Sequence, residues 1–281
     1  GDTTVHESIS VIPSVGLMRR APLVLAVVLA GGCSLSNVPD LSSGRGAVDS
    51  GAEASATSDA GPGIVADGGG AGYRAAVTGA GPIAYYRFEE ASGTVAHDER
   101  GAFDATYGTG VTLGGDGFVD GSRAARIGTT GPGITGPQAG LDFAARAPFS
   151  FEAWVSPHAF PNGHGMVFFK GDGSGPGFQE IGAYVTAPDK LVFERYVDGQ
   201  ELTVSASLPV DRFTHVVCTY DGSTLRLFRD GALVGSLADG RSQPAKGPPI
   251  TFGFDPAGAG QSFFDGSLDE LEQSLLHALA G

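Results

Sequence analysis

The 281-residue chain has only two cysteines, two methionines and one tryptophan, and its 17 Lys and Arg residues are outnumbered by 31 Asp and Glu. Each shortage removes a class of protein. Cys33 and Cys218 fall in regions of such different composition that no intrachain disulfide is expected. From Ile83 onward 24 acidic residues stand against 13 basic ones, a net charge of −11. A surface of that sign repels phosphate backbones, so nucleic acid is not expected as a partner and an anionic membrane surface is not expected as a dock for this region. No apolar run reaches the roughly 18 residues of a membrane-spanning helix. Enzyme signatures are scarce too. The chain has no Gly-x-Ser-x-Gly elbow and no His-Glu-x-x-His zinc motif, and Gly171-Asp172-Gly173-Ser174-Gly175 lacks the lysine and helix of a phosphate-binding loop.

What the chain does have begins with a leader. Met18-Arg19-Arg20 is a basic start, Ala21 to Ala30 a short apolar stretch, and Gly31-Gly32-Cys33 a small-residue site. Leu29-Ala30-Gly31-Gly32-Cys33 resembles a bacterial lipobox, although Ala30 stands where a larger aliphatic residue is usual. That resemblance implies cleavage before Cys33 and lipidation of its thiol, with residues 18–32 as the signal peptide. Ser34 after the cysteine, rather than Asp, implies an exported lipoprotein of the bacterial outer membrane, facing the periplasm or the surface. Acyl chains would anchor it, since each buried methylene contributes about 0.8 kcal/mol. An ordinary secretory signal is the alternative reading. Residues 1–17 precede Met18 and are read as a non-native upstream extension. Residues 33–82 are rich in Ser, Gly, Ala and Asp, bury too little apolar surface to offset chain entropy, and are expected to form a flexible linker.

From residue 83 to 281 the texture is that of β-strands. Phe149 to Ser156 alternates, putting Phe149, Phe151, Ala153 and Val155 on one face. Lys190–Val197 meets Glu201–Ser205 across Asp198-Gly199-Gln200, and Thr224–Arg229 meets Ala232–Leu237 across Asp230-Gly231. Asp-Gly tolerates the positive backbone angles of a tight hairpin, so two antiparallel hairpins are expected. Short strands with turn punctuation point to an all-β sandwich or barrel.

Four of these segments, in order, carry a family resemblance. Ala84-Tyr85-Tyr86-Arg87-Phe88-Glu89-Glu90 with Ser92-Gly93 and Asp98, then Phe149 to Pro157 with Glu-Ala-Trp-Val, then Phe213 to Gly222, and finally Phe264-Asp265-Gly266-Ser267-Leu268-Asp269-Glu270-Leu271 are similar to bacterial laminin-G-like domains of the concanavalin A type. The resemblance implies an antiparallel β-sandwich, a jelly roll. It is specific for fold and not for ligand, because this architecture hosts lectins, glucanases, adhesion modules and spacers. After Leu271 the chain departs from the family. Ser267 with Glu270 reads as a capping box, and Leu268, Leu271, Leu275, Leu276 and Leu279 recur at helical spacing. A strand to about Leu271 and a short C-terminal helix after about Ser274 are therefore expected.

Chemistry is sparse in this reading. Glu270 and Glu272 could share a strand face, yet the Glu-x-Asp-x-Glu pattern of the family's glucanases is missing, so no catalytic residue is assigned. His158 and His164 lie in a loop without metal-ligand spacing, His215 belongs to a strand motif, and Cys218 sits in an alternating strand where a buried thiol is inert. Asp98 and Asp104 in the first loop, with Asp269 in the closing motif, could offer oxygen ligands to a structural calcium ion; turn roles are the competing explanation. No other cofactor is required. Tyr184, Tyr196, Phe178 and Asn162 are conceivable ligand contacts, although alternating aromatics usually pack. The expected function is a non-catalytic cell-envelope lipoprotein binding a glycan or an envelope or extracellular protein. A glycan hydrolase and a passive spacer are the other readings.

Overall fold

The computed structural model describes residues 71–274 apart from 120, 138–139, 142, 172–179, 244–247 and 257–261. Among them a helix, α1 (Ala71–Ala80), precedes sixteen strands: β1 (Ala84–Tyr86), β2 (Val95–Ala96), β3 (Ala105–Tyr107), β4 (Val111–Asp116), β5 (Arg123–Ile127), β6 (Ile134–Thr135), β7 (Phe149–Pro157), β8 (Gly165–Gly171), β9 (Glu180–Thr186), β10 (Lys190–Val197), β11 (Gln200–Ser207), β12 (Thr214–Tyr220), β13 (Thr224–Arg229), β14 (Ala232–Ala238), β15 (Thr251–Phe252) and β16 (Gly266–Ser274). They form two antiparallel sheets. The first runs β14-β13-β12-β7-β16-β5-β4, with β1 also paired to β16, and the second runs β11-β10-β9-β8-β15-β6-β3-β2.

The two sheets close on one core, and the strand period decides what enters it. Phe149, Phe151, Ala153 and Val155 of β7 point inward, where they meet Phe168, Phe193 and Phe252 from the second sheet. Burying each such ring contributes about 1.5–3 kcal/mol. Asp198-Gly199 and Asp230-Gly231 both adopt positive φ, at 54° and 76° and at 49° and 78°. These are the two-residue turns that join β10 to β11 and β13 to β14, with Gln200, expected in the turn, instead pairing with Val197.

One expectation is corrected here and one is borne out. The linker does not extend to residue 82, because Ala71–Ala80 is helical and its Val77 is buried. The i, i+4 pair Tyr73 and Val77 supplies the apolar stripe that an average over a Gly/Ala-rich region conceals. The closing segment is strand past Leu271, as the family resemblance implied, and it runs as far as Ser274 despite the helical spacing that begins at Ser267. Its physical reason is a β-bulge between Asp269 and Glu272, with Glu270 at φ 48°. One inserted residue lets Leu268 and Leu271, three apart, both face the core. The bulge is also where β16 changes neighbours on one edge, from β5 at Gly266–Leu268 to β1 at Leu271–Gln273. The expected C-terminal helix lies outside the described residues, as do the leader, Cys33 and the rest of the linker.

Candidate functional site

The alternate residues of β7 face away from the core, yet they are not solvated. Ser150, Glu152, Trp154 and Ser156 are all buried. Register aligns their neighbours on the same outer face. Tyr85 lies opposite Glu272 and Glu272 opposite Glu152, while Asp269 and His215 flank Trp154. Directly opposed residues of antiparallel strands share a face, so the first sheet carries a layer of acids and aromatics. Phe118, from the loop after β4, stacks on Trp154 at 4.2 Å between ring centroids.

Helix α1 closes part of this layer. Tyr73 sets its ring edge against Phe118 and Trp154, at 5.3 Å and 6.4 Å, and its hydroxyl donates to Glu152 Oε1 at 3.0 Å. The same oxygen lies 2.7 Å from His215 Nε2. Glu270 accepts from the Tyr85 hydroxyl and from Arg87 Nε at 3.0 Å. Asp269 Oδ2 accepts the backbone N–H of Phe118 at 3.0 Å, whereas Asp269 Oδ1 and the Trp154 indole N–H are buried without a hydrogen-bond partner.

Four carboxyl groups thus sit in a desolvated layer with Arg87 and His215 as nearby cationic or protonatable partners, and their proton affinities follow from that. Burial, augmented by the Glu270 charge, pushes Asp269 up to about 8. Burial and the neighbouring Glu152 push Glu272 up to about 8, and burial raises Glu270 despite Tyr85 and Arg87. Tyr73 is raised by burial and by Glu152. At neutral pH this layer holds protons that exposed carboxylates would have released. Such groups can exchange protons and shift charge.

The sequence-derived candidates separate. Asp98 is buried and organises its loop, accepting the N–H groups of Tyr85, Arg100, Ala102 and Phe103 at 2.9–3.0 Å. Asp104 accepts the Asp98 N–H and pairs with exposed His97. Asp98, Asp104 and Asp269 are not gathered into one centre, and among the described residues no group of three or more His, Cys, Asp or Glu is placed to hold a metal ion. Asp98 spends its oxygens on backbone donors, and Asp269 keeps a proton up to about pH 8. Glu270 and Glu272 take different partners, as above. His158 contacts Asp211 and Ser267. Cys218 is buried, and burial raises its thiol well above the usual range.

On the outer face of the second sheet, Met166, Phe169, Tyr184 and Val192 form a separate apolar cluster. Exposed His164 covers it at one corner, 4.0 Å from the Tyr184 ring, and exposed Asn162 lies two residues before it. Tyr184 and His164 thus share a corner, with Asn162 in the loop that carries His164. Tyr196 sits farther along β10 toward the hairpin turn, and Phe178 lies outside the described residues. Sequence reasoning missed Glu152, Trp154 and Tyr73 as a unit. The alternation Glu152-Ala153-Trp154 marks an outward pair, but nothing local names the helix that covers it.

The model of the concanavalin A-like lectin/glucanases superfamily matches residues 128–273. The chain belongs to this superfamily. Among solved structures, this concanavalin A-like domain is similar to the binding domain of Paraclostridial Mosquitocidal Protein 1, at 15% identity and TM-score 0.55 over 69% of this chain and 48% of the other. It is similar to the binding domain of botulinum neurotoxin serotype D, at 11% identity and TM-score 0.53 over 69% and 47%. A third likeness is Domain 4 of AbnA, an extracellular arabinanase from Geobacillus stearothermophilus solved with arabinotriose, at 17% identity and TM-score 0.50 over 69% and 92%. At these identities the likeness is one of fold. The chain spans about half the length of the two toxin binding domains. No curated protein sequence matches it.

Proposed function

We propose that this chain is a non-catalytic recognition module of the bacterial cell envelope, exported, anchored through Cys33 to the outer membrane, and binding a glycan or a protein partner through its sandwich. One observation carries the non-catalytic part. The acids that could serve hydrolysis are occupied internally: Glu270 by Tyr85 and Arg87, and Glu152 by Tyr73 and His215. The binding part is supported by the arabinanase domain, solved with arabinotriose, and by two toxin binding domains of the same fold. The corner formed by His164 and Tyr184, with the Asn162 loop beside it, is the proposed contact surface, since an exposed ring tilted over an apolar floor gives a sugar face or a side chain a partner.

A glycan array combined with a hydrolysis screen on the full chain tests this reading. Binding without turnover is expected, weakened in a His164→Ala variant. Hydrolysis abolished by Glu270→Gln would overturn it. Anchoring is tested separately by palmitate labelling in a bacterial host, where a label retained by Cys33→Ala would refute the lipid attachment.

A further inference from the structure

Helix α1 is a weak element fixed to an unusual surface. Its ten residues include Gly72 and Gly79 along with Val77 and Thr78, all poor helix formers, and a helix this short is marginal without tertiary support. That support is narrow. Of the α1 side chains described, only Tyr73 and Val77 are not exposed, and the Arg74–Glu99 ion pair lies at the surface. Directly under Tyr73 lies the Glu152 carboxylate, with Glu272 beside it.

We infer that α1 is a displaceable strap latched by Tyr73 on Glu152, and that ionisation of Glu272, which lies opposite Glu152 across β16 and β7, releases it, uncovering Trp154 and Phe118. With one proton between them, Glu272 donates to Glu152, and Glu152 accepts at the same time from Tyr73 and His215. Remove that proton and two like charges face each other in a layer with little access to water. The other titratable and charged groups around the pair are Tyr85 on β1, Arg87 after it, Asp269 and Glu270 on β16, and His215 on β12. Arg87 is already engaged by Glu270 and Glu89, so no free guanidinium answers the new charge. Water can. It reaches the pair most readily if α1 lifts, because β7, β12 and β16 are each hydrogen-bonded to strands on both sides, whereas α1 rests on one face. The proton affinity of Glu272 sets the transition near pH 8.

Trp154 is the only tryptophan of the chain, so its fluorescence reports on the covered face alone. In the full chain, raising the pH from 6 to 9.5 is expected to shift Trp154 emission to longer wavelength and to raise acrylamide quenching several-fold, with a midpoint near 8 and with far-UV circular dichroism retaining its strand signal. Tyr73→Ala is expected to show the open signal at every pH. Glu272→Gln, whose amide N–H can still donate to Glu152 without ionising, is expected to stay closed throughout. The inference is overturned if native emission is flat across this range, if Tyr73→Ala leaves Trp154 as shielded as in the native chain, or if the transition persists unchanged in Glu272→Gln. Loss of the strand signal together with the shift would identify global unfolding instead, and would equally overturn it.

Discussion

Replacing Asp269 with asparagine is expected to flatten the dependence of stability on pH by one proton's worth. Asp269 is fully buried, and its carboxyl is raised from 3.8 to about 8. The folded state therefore keeps a proton that the unfolded chain releases above about pH 4. A raised folded pKa means that stability is whole below the unfolded value and drains as pH rises toward the folded one. Over pH 5–7 this single group contributes a loss of roughly 2–3 kcal/mol. Above about pH 8 the loss levels off. Glu272, raised to a similar value, adds a slope of its own. The native chain should consequently lose stability more steeply than the Asp269→Asn chain, by about one proton's worth of slope. Asparagine has nearly the same shape and can still accept the Phe118 N–H, so packing is preserved. Urea unfolding at pH 5, 6, 7 and 8 measures both profiles. If the two run parallel, Asp269 does not carry a proton into the folded state and the account of the acidic layer is wrong.

Asp98→Ala strips four backbone donors of their acceptor and is expected to lower stability by about 2–4 kcal/mol in denaturant titrations, while a chelator leaves the melting temperature of the native chain unchanged. Asp239→Ala leaves Arg195, fully buried and stacked 4.0 Å over Tyr220, without its carboxylate. The expected loss is about 3–5 kcal/mol, read as a lower urea midpoint at pH 7. Although burial opposes it, Arg241 and Arg195 hold the Asp239 carboxyl below the usual range, so this contribution is present above about pH 4 and disappears as acid protonates the group. Cys218 is expected to resist a thiol-specific reagent in the native state and to react at the rate of global unfolding, measured by the absorbance of the released chromophore.

The sandwich was legible because its signals are local and repeated. Alternation along Phe149–Val155 and the Asp-Gly pairs at 198–199 and 230–231 each specify geometry within a few residues, and the observed register agrees with them. The closing strand misled local rules for a definite reason. A bulge at Glu270 turns a two-residue period into a three-residue one, and Leu268 with Leu271 then imitates a helix. Helix α1 was hidden in composition, since Tyr73 and Val77 are two informative residues among glycine and alanine. The acidic layer was illegible for another cause. Glu152, His215, Asp269 and Glu272 are remote in sequence, and their joint burial depends on strand order, which no window of residues encodes. Asp98 illustrates the limit of reading acids near turns, since its oxygens accept backbone N–H groups that no residue spacing announces.

The junction at which β16 passes from β5 to β1 also sets how the domain would respond to mechanical load. Among the described elements, a pull from the N-terminal side arrives first at α1, held by Tyr73, Val77 and the surface Arg74–Glu99 pair, and then at β1, held to β16 by three residue pairs. β16 itself is clamped along β7 on its other edge from Gly266 to Ser274. Tension would therefore be absorbed in stages, with helix and then first strand peeling away while the remaining strands stay paired. A module held by its N-terminal side could lengthen under shear by the span of these two elements and still keep the His164–Tyr184 corner on the opposite sheet intact.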